Sequence, residues 1–255
     1  MERHRIKLSQ EEFDKGKIPS NHIAVELLRL EKDAVTKGGI YAGFLEDVTW
    51  QEDGESHPAD VASIIGRVVK LPDKLYYNED DIHNSFPWDT DIDLEIGDLV
   101  WFNFIESLNT NEIQIDDKVL RFLPYQDCYA CKRSPLIVFG GQIMRYPFPS
   151  EEDEVIMLNG YVLLEPIPLA RLSELDHLSQ EKVYTDRGIV AYVGKPNRAY
   201  VNKNYSDNPD IEEGQTAYLM PGYTPFLLER TSSLANFNGD KLYYCVQNRR
   251  IAFAV

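Results

Sequence analysis

The sequence predicts a mostly β protein made of two copies of one unit behind a short N-terminal helix, and three observations predict it. Short runs rich in β-branched and aromatic residues are punctuated by Gly, Pro, Asp and Asn. Four blocks of sequence recur in the same order in the two halves of the chain. Aromatic residues are plentiful, with 15 Tyr and 11 Phe, and they suit a pleated, half-buried surface better than a helix.

The helix comes first. Ser9-Gln10-Glu11-Glu12 has the spacing of a capping box, and Gly16 offers a stop. Pro19-Ser20 then opens the β region. Strands are predicted at Ile23 to Leu27, Gly66 to Lys70, Leu99 to Phe104 and Val119 to Leu123.

The repeat follows from four pairs of blocks. His22-Ile23-Ala24-Val25-Glu26-Leu27-Leu28 faces Tyr161-Val162-Leu163-Leu164-Glu165-Pro166-Ile167. Gly66-Arg67-Val68-Val69 faces Gly188-Ile189-Val190-Ala191. Asp93-Leu94-Glu95-Ile96-Gly97-Asp98 faces Asp210-Ile211-Glu212-Glu213-Gly214-Gln215, and Asp117-Lys118-Val119 faces Asp240-Lys241-Leu242. The copies differ in their connections. The first runs much further from Glu26 to Gly66 than the second does from Glu165 to Gly188. The second places Leu169, Leu172, Leu175 and Leu178 in that stretch, a spacing that predicts a helical turn or two. Ser134 to Glu154 carries Gly140-Gly141, Pro147, Pro149 and the acidic run Glu151-Glu152-Asp153-Glu154. It reads as a linker in which Leu136-Ile137-Val138-Phe139 has the composition of a strand. The predicted division is an arm at 1–19, a first unit at 20–133, a linker at 134–154 and a second unit at 155–255.

Charge narrows the partners. With 26 Lys and Arg against 42 Asp and Glu, the 255-residue chain carries a net charge of −16. Phosphate backbones and anionic membrane surfaces would repel it, so the expected partners are proteins, with no nucleic acid and no membrane. The acidity either maintains solubility or meets a basic protein surface. No apolar run approaches the roughly 20 residues that span a bilayer. Met1-Glu2-Arg3-His4-Arg5 lacks the apolar region of a signal peptide. Three cysteines, an odd number, argue against a disulfide framework and for a reducing compartment.

Catalytic signatures are missing from the sequence. It has no P-loop, no G-x-G-x-x-G after a strand, no H-E-x-x-H and no G-x-S-x-G. The five histidines, at 4, 22, 57, 83 and 177, lack ligand spacing. The chain is therefore expected to be non-enzymatic and to need no cofactor. Cys128-Tyr129-Ala130-Cys131 suggests either a redox pair or half of a zinc site. The repeat argues instead for structural thiols, because ungapped counting sets Cys128 opposite Ile251 and Cys131 opposite Ala254, on a closing strand. Residues three apart on a regular strand point to opposite faces, which predicts that the two thiols are kept apart. Cys245 reads as structural too. Glu79-Asp80-Asp81 and Asp89-Thr90-Asp91-Ile92-Asp93 could attract calcium, yet they lack the glycine and final Glu of an EF-hand loop and suit solvated loops.

The order of these blocks resembles the GroES-type co-chaperonin family. Val25-Glu26 ends an opening strand, and Thr36-Lys37-Gly38-Gly39-Ile40-Tyr41-Ala42 has the character of that family's mobile loop. Gly66-Arg67-Val68-Val69 follows. Ile96-Gly97-Asp98-Leu99-Val100-Trp101-Phe102 resembles its "Gly-Asp-x-Val-x-Phe" strand, and the Val119 hairpin closes the unit. The likeness covers most of 20–133 and, more loosely, 155–255. The second copy departs from it: its loop reads Leu175-Asp176-His177-Leu178-Ser179-Gln180, and Gly214 is followed by Gln215-Thr216-Ala217. The resemblance implies two tandem GroES-like β-barrels. It also implies a partner-binding segment at Gly38, Gly39, Ile40, Tyr41, Ala42, Phe44 and Leu45, whose apolar tail could order in a groove of another protein. The same residues also suit a plain hairpin turn, with Ile40 and Tyr41 opening the next strand. Members of the family cap a chaperonin as rings and do no chemistry. Related sequences also occur in large tailed phages. The expected role is therefore an oligomeric assembly protein. The first reading is a virion component of a phage head or portal vertex. The alternative is a cytoplasmic tandem co-chaperonin that assists protein folding. The expected partners are copies of itself with a larger assembly, or a chaperonin.

Overall fold

Turn chemistry and apolar alternation mark out the same elements in the computed structural model. It describes residues 6–19, 21–27, 65–77, 88–90, 92–103, 112–116, 118–139, 142–145, 153–169, 183–194, 211–223, 226–227 and 243–255. The chain opens with β1 (Ile6–Leu8) and α1 (Gln10–Lys15). Ser9 caps α1 by a full capping box with Glu12, and Gly16 ends it. The first unit continues with β2 (His22–Leu27), β3 (Ile65–Lys70), β4 (Leu75–Tyr77), β5 (Trp88–Thr90) and β6 (Leu99–Phe102). It ends with β7 (Glu112–Ile115), β8 (Lys118–Pro124) and β9 (Cys128–Arg133). Next come β10 (Leu136–Phe139), β11 (Gln142–Arg145) and β12 (Glu154–Met157). The second unit holds β13 (Tyr161–Pro168), β14 (Val183–Val193), β15 (Thr216–Leu219), β16 (Phe226–Leu227), β17 (Tyr244–Gln247) and β18 (Ile251–Ala254). No helix among the described residues is long and apolar enough to cross a membrane.

The strands form an eight-stranded sheet, β1-β7-β8-β2-β3-β6-β9-β12, and a six-stranded sheet, β16-β17-β13-β14-β15-β18. Two small hairpins, β4-β5 and β10-β11, stand beside them. The fold is mostly β, as expected, but neither sheet closes into a barrel among the described residues. The reason lies at the edges. In the first sheet the outer edge of β8 is taken by β7 and that of β9 by β12, so the two strands that would have to meet are occupied. The sheet still curls around one core. Leu123 of β8 and Cys128 and Cys131 of β9 share a cluster with Ile23, Val25, Val68, Val100 and Phe102.

The segment read as a linker is structured at both ends. Ser134 Oγ donates to Asp153 Oδ2 at 2.9 Å in a buried contact, which brings together the two ends of the stretch holding the β10-β11 hairpin. β12 then pairs antiparallel with β9, so the first strand after this stretch extends the first sheet rather than the second. Of the four leucines spaced for a helical turn, only Leu169 lies within the described residues, where it is exposed.

The duplication holds in the registers of the strands that the two units share. Ile23 pairs with Leu123, and Val162 with Val246. Val25 pairs with Val68 and Leu164 with Val190, and a register shift precedes each pair at the same place. Gly66 lies across from Leu27, and Gly188 across from Pro166. A β-carbon at Gly66 would come within 3.0 Å of Val25 Cβ, and one at Gly188 within 2.8 Å of Leu164 Cβ, so the same close approach accounts for both glycines. The Asp-x-Glu-x-Gly block is one turn made twice. Gly97 and Gly214 sit at φ +94° and +88°. Gly97 and Gly214 N–H donate to Val68 and Val190 C=O, both at 2.8 Å. Asp98 Oδ2 accepts from Glu95 N–H at 2.8 Å, and Gln215 Oε1 accepts from Glu212 N–H at 3.0 Å.

Alternation along each strand then divides the core into four layers. Ile23 and Val25 face the first unit's interior, while Ala24 faces the arm together with Phe13, Ile18 and Leu120. Val100 and Phe102 face inward. Leu99 and Trp101 face outward, into a cluster with Leu163, Tyr243 and Cys245 of the second unit. Val162, Leu164, Val190, Ala217 and Val246 fill the second unit's own interior.

Candidate interaction surface

The segment singled out from the sequence, Gly38, Gly39, Ile40, Tyr41, Ala42, Phe44 and Leu45, lies outside the described residues. Its attachment points do not. The connection that contains it runs between β2 and β3, whose Leu27 and Gly66 pair. Of the acidic clusters, residues 79–81 and Asp91 also lie outside the described set. Asp93 lends its backbone carbonyl to Arg133 Nη2 at 2.6 Å. Among the described residues, no group of three or more His, Cys, Asp or Glu side chains is placed to hold a metal ion.

The two thiols of the C-x-x-C motif do not point to opposite faces as the regular-strand rule predicts. Both pack in the first unit's interior. The cause is a bulge: Trp101 pairs with Ala130 but Phe102 pairs with Cys128, which leaves Tyr129 as an extra residue. The second copy has the same bulge, with Tyr218 paired to Phe253 and Leu219 to Ile251. Ile251 and Ala254 pack on the second interior just as the two cysteines do on the first. Each thiol has its own weak acceptor. Cys128 Sγ lies 3.7 Å from Pro124 O, and Cys131 Sγ lies 3.8 Å from Asp98 Oδ2. Burial, with the nearby Asp98 charge, pushes the Cys131 thiol far above the ordinary range. Burial alone does so for Cys245. Thiols held protonated in this way make poor nucleophiles and poor metal ligands.

The buried charges serve the fold. Asp98 is fully buried and accepts from Arg133 Nη2 at 2.8 Å and Nε at 3.2 Å, while Arg133 Nη1 also pairs with Glu95 at 3.0 Å. These contacts tie the glycine turn to β9. Arg121 and Glu112 form a second buried pair across β7 and β8. The arm is held by the pairing of β1 with β7 and by side chains of its helix and tail. Phe13 is buried beneath Lys70, whose ammonium lies 4.7 Å from the ring centroid, and exposed Lys17 pairs with Asp73 at 2.6 Å.

What remains open is a sheet face. In the first unit the outward row Ile65, Trp101 and Ala130 runs across β3, β6 and β9, and all three are buried in the cluster shared with the second unit. Tyr129 and Tyr161 meet edge-on across that boundary, with ring centroids 4.8 Å apart. Asn159 Nδ2 ties the turn before β13 to Tyr125 and Cys128 carbonyls at 2.6 and 2.8 Å. The equivalent row of the second unit is Arg187, Tyr218 and Phe253 on β14, β15 and β18. Here Phe253 is 62% exposed, and Ile189 and Val255 are exposed as well. Arg187 lies over the rings of Tyr184 and Tyr218, at 4.2 and 5.2 Å. Sequence reasoning missed this surface, although the repeat carried a signal: Phe253 stands where the first copy has Ala130, a large apolar residue in place of a small one. No protein-family model matches the chain, and no curated protein matches it.

Proposed function

We propose that the chain is a non-enzymatic assembly protein built from two GroES-like units, serving as a structural component of a virion, such as an auxiliary protein of a phage head or portal vertex. One observation carries the assembly role. The chain repeats a single β unit with the same registers, bulges and turn, and it joins the copies through an apolar layer containing Ile65, Leu99, Trp101, Leu163 and Tyr243. Surface-on-surface packing of like units is the property this molecule is built around. The buried Asp98–Arg133 and Glu112–Arg121 pairs are spent on turns and strand pairs, and the buried thiols are held protonated, which favours structure over chemistry. The GroES-like character rests on the order of the Gly66, Asp93-x-Glu95-x-Gly97-Asp98 and closing-strand blocks. Mass spectrometry of purified particles of the source virus tests the virion role. The chain should be present in fixed proportion to the major head protein. Its presence in infected cells but absence from particles would sink that role.

A second reading, a tandem co-chaperonin, is favoured by Gly38-Gly39-Ile40 in the β2–β3 connection, where the resemblance places a partner-binding loop. Its test is co-sedimentation with a chaperonin, with and without ATP, comparing wild type with Ile40→Ser. Nucleotide-dependent binding that the substitution abolishes supports this reading. Equal behaviour of the two proteins counts against it.

A further inference from the structure

The two units pack head to tail, and the layers between them form a series. The face of the second unit that receives the first is built on Leu163 and Cys245, a directly paired couple, with Tyr243 alongside. Its equivalent in the first unit is the couple Ala24 and Phe122, with Leu120 alongside. That face is covered by the chain's own arm, through Phe13, Ile18 and Leu8. The face of the first unit that docks on the second is the row Ile65, Trp101 and Ala130. Its equivalent in the second unit is Arg187, Tyr218 and Phe253, where Phe253 is exposed and the other two are half-buried among the described residues. The order is thus arm, first unit, second unit, open face. Between the units an outward row from strands of the β3, β6 and β9 type meets a receiving face of the β2 and β8 type, and the open face is free to do the same.

We propose that the open face of the second unit docks a second copy of this chain, which presents the receiving face of its first unit after its arm has swung aside. The internal interface supplies the template. The same strands in the same register make both surfaces, and the one surviving outward row carries an exposed Phe where the buried row carries Ala130. The arm suits the part of a displaceable cover. It comprises a three-residue edge strand, β1, paired to β7, and a six-residue helix held by a few apolar side chains, by Lys70 bonding to the Phe13 and Asp14 carbonyls and by the exposed Lys17–Asp73 pair. Isolated helices of that length are unstable, so the helix keeps its seat through these contacts, while β1 anchors the arm at the sheet edge. Such a contact is heterologous and generates a ring if the rotation closes and a filament if it does not. This proposal deepens the assembly role and rests on it for its purpose, while its geometry stands apart. A chain that self-associates through this face yet is missing from particles fails the virion reading and keeps this one.

The test is sedimentation velocity on the full chain over a wide range of concentrations, with circular dichroism to check folding. Phe13→Asp releases the arm and should raise the weight-average mass above that of wild type. Adding Phe253→Asp, an exposed position that the fold does not need, should return the mass to that of a monomer. Excess double variant added to the Phe13→Asp chain should cap growth at short oligomers, because it still offers a receiving face. A face-to-face pairing through Phe253 would show no such capping and would overturn the proposal. So would association that persists undiminished with Phe253→Asp, or a folded Phe13→Asp chain that stays monomeric throughout. If Phe13→Asp unfolds the first unit, the comparison moves to wild type at the highest soluble concentration. There Phe253→Asp must abolish association, and a wild type that stays monomeric overturns the idea.

Discussion

Trp101 and Tyr218 occupy the same position of the repeat, one paired to Ala130 and the other to Phe253, yet the fold gives them opposite surroundings. Trp101 is 1% exposed and sits in the layer between the units, against side chains that include Leu163 and Tyr243. Trp101→Ala removes a ring that buries on the order of 150–250 Å² of surface, and the rigid sheets on either side can close little of the gap. The expected loss is about 3–5 kcal/mol, a large part of a typical folding free energy. Tyr218→Ala removes a half-buried ring whose main contacts are Arg187 and Phe253, so its loss should stay near 1 kcal/mol. Urea titration followed by far-ultraviolet circular dichroism measures both, with the denaturant slope as a check that each unfolds as wild type does. Because Trp101 touches both units, its loss should also pull their transitions apart. Equal costs at the two positions, or a Trp101→Ala cost below about 1 kcal/mol, would refute the reasoning that the inter-unit layer is a true core.

Three further expectations follow from the same geometry. Asp98→Ala should cost about 3 kcal/mol, since it strips the cap from Glu95 N–H and leaves partly buried Arg133 with exposed Glu95 as its one charged partner among the described residues. Gln215→Ala removes the same cap without a charge and should cost about 1 kcal/mol; chemical denaturation of the two variants side by side checks the ratio. All three cysteines should resist alkylation at mildly alkaline pH in the folded protein and react only on unfolding. Rapid labelling of any of them in the native state would contradict the burial described. The arm should loosen in acid. The Ser9 backbone N–H and hydroxyl hold Glu12 below its usual value, and Lys17 does the same for Asp73, so both contributions are present above the ordinary carboxylate range. They are lost as pH falls through those lowered values. Lys17 itself is raised by Asp73, so the pair also weakens at high pH, once the lysine deprotonates. Hydrogen exchange at Phe13 and Gly16 amides, corrected for intrinsic rates, should show protection falling on acidification while β13 amides hold. Unchanged arm protection would count against it.

The parts legible in the sequence are those set by local rules. A capping box places Ser9 and Glu12, because an orphan N–H at a helix start needs an acceptor three residues away. Gly97 and Gly214 are legible for a similar reason: a turn with positive φ admits glycine at little cost, and the block recurs around each. The paired repeats also foretold the closing strands, down to Cys128 matching Ile251. The direction of the thiols was not legible. A single extra residue at Tyr129 reverses the alternation, and such a bulge is a matter of how β9 fits β6 rather than of composition. Barrel closure was likewise decided by pairing between distant segments, since β12 comes from beyond a 134–154 stretch that sequence alone reads as spacer. The candidate docking face shows the same division. Period-two alternation turns Trp101 and Tyr218 outward from their units, while the direction of Phe253 is set by the bulge just before it. Which outward row is buried and which is left open depends on where the arm and the second unit pack, through contacts between residues far apart in the chain. A chain of short strands carries the pattern of its faces locally, while the choice of which faces meet belongs to the whole fold.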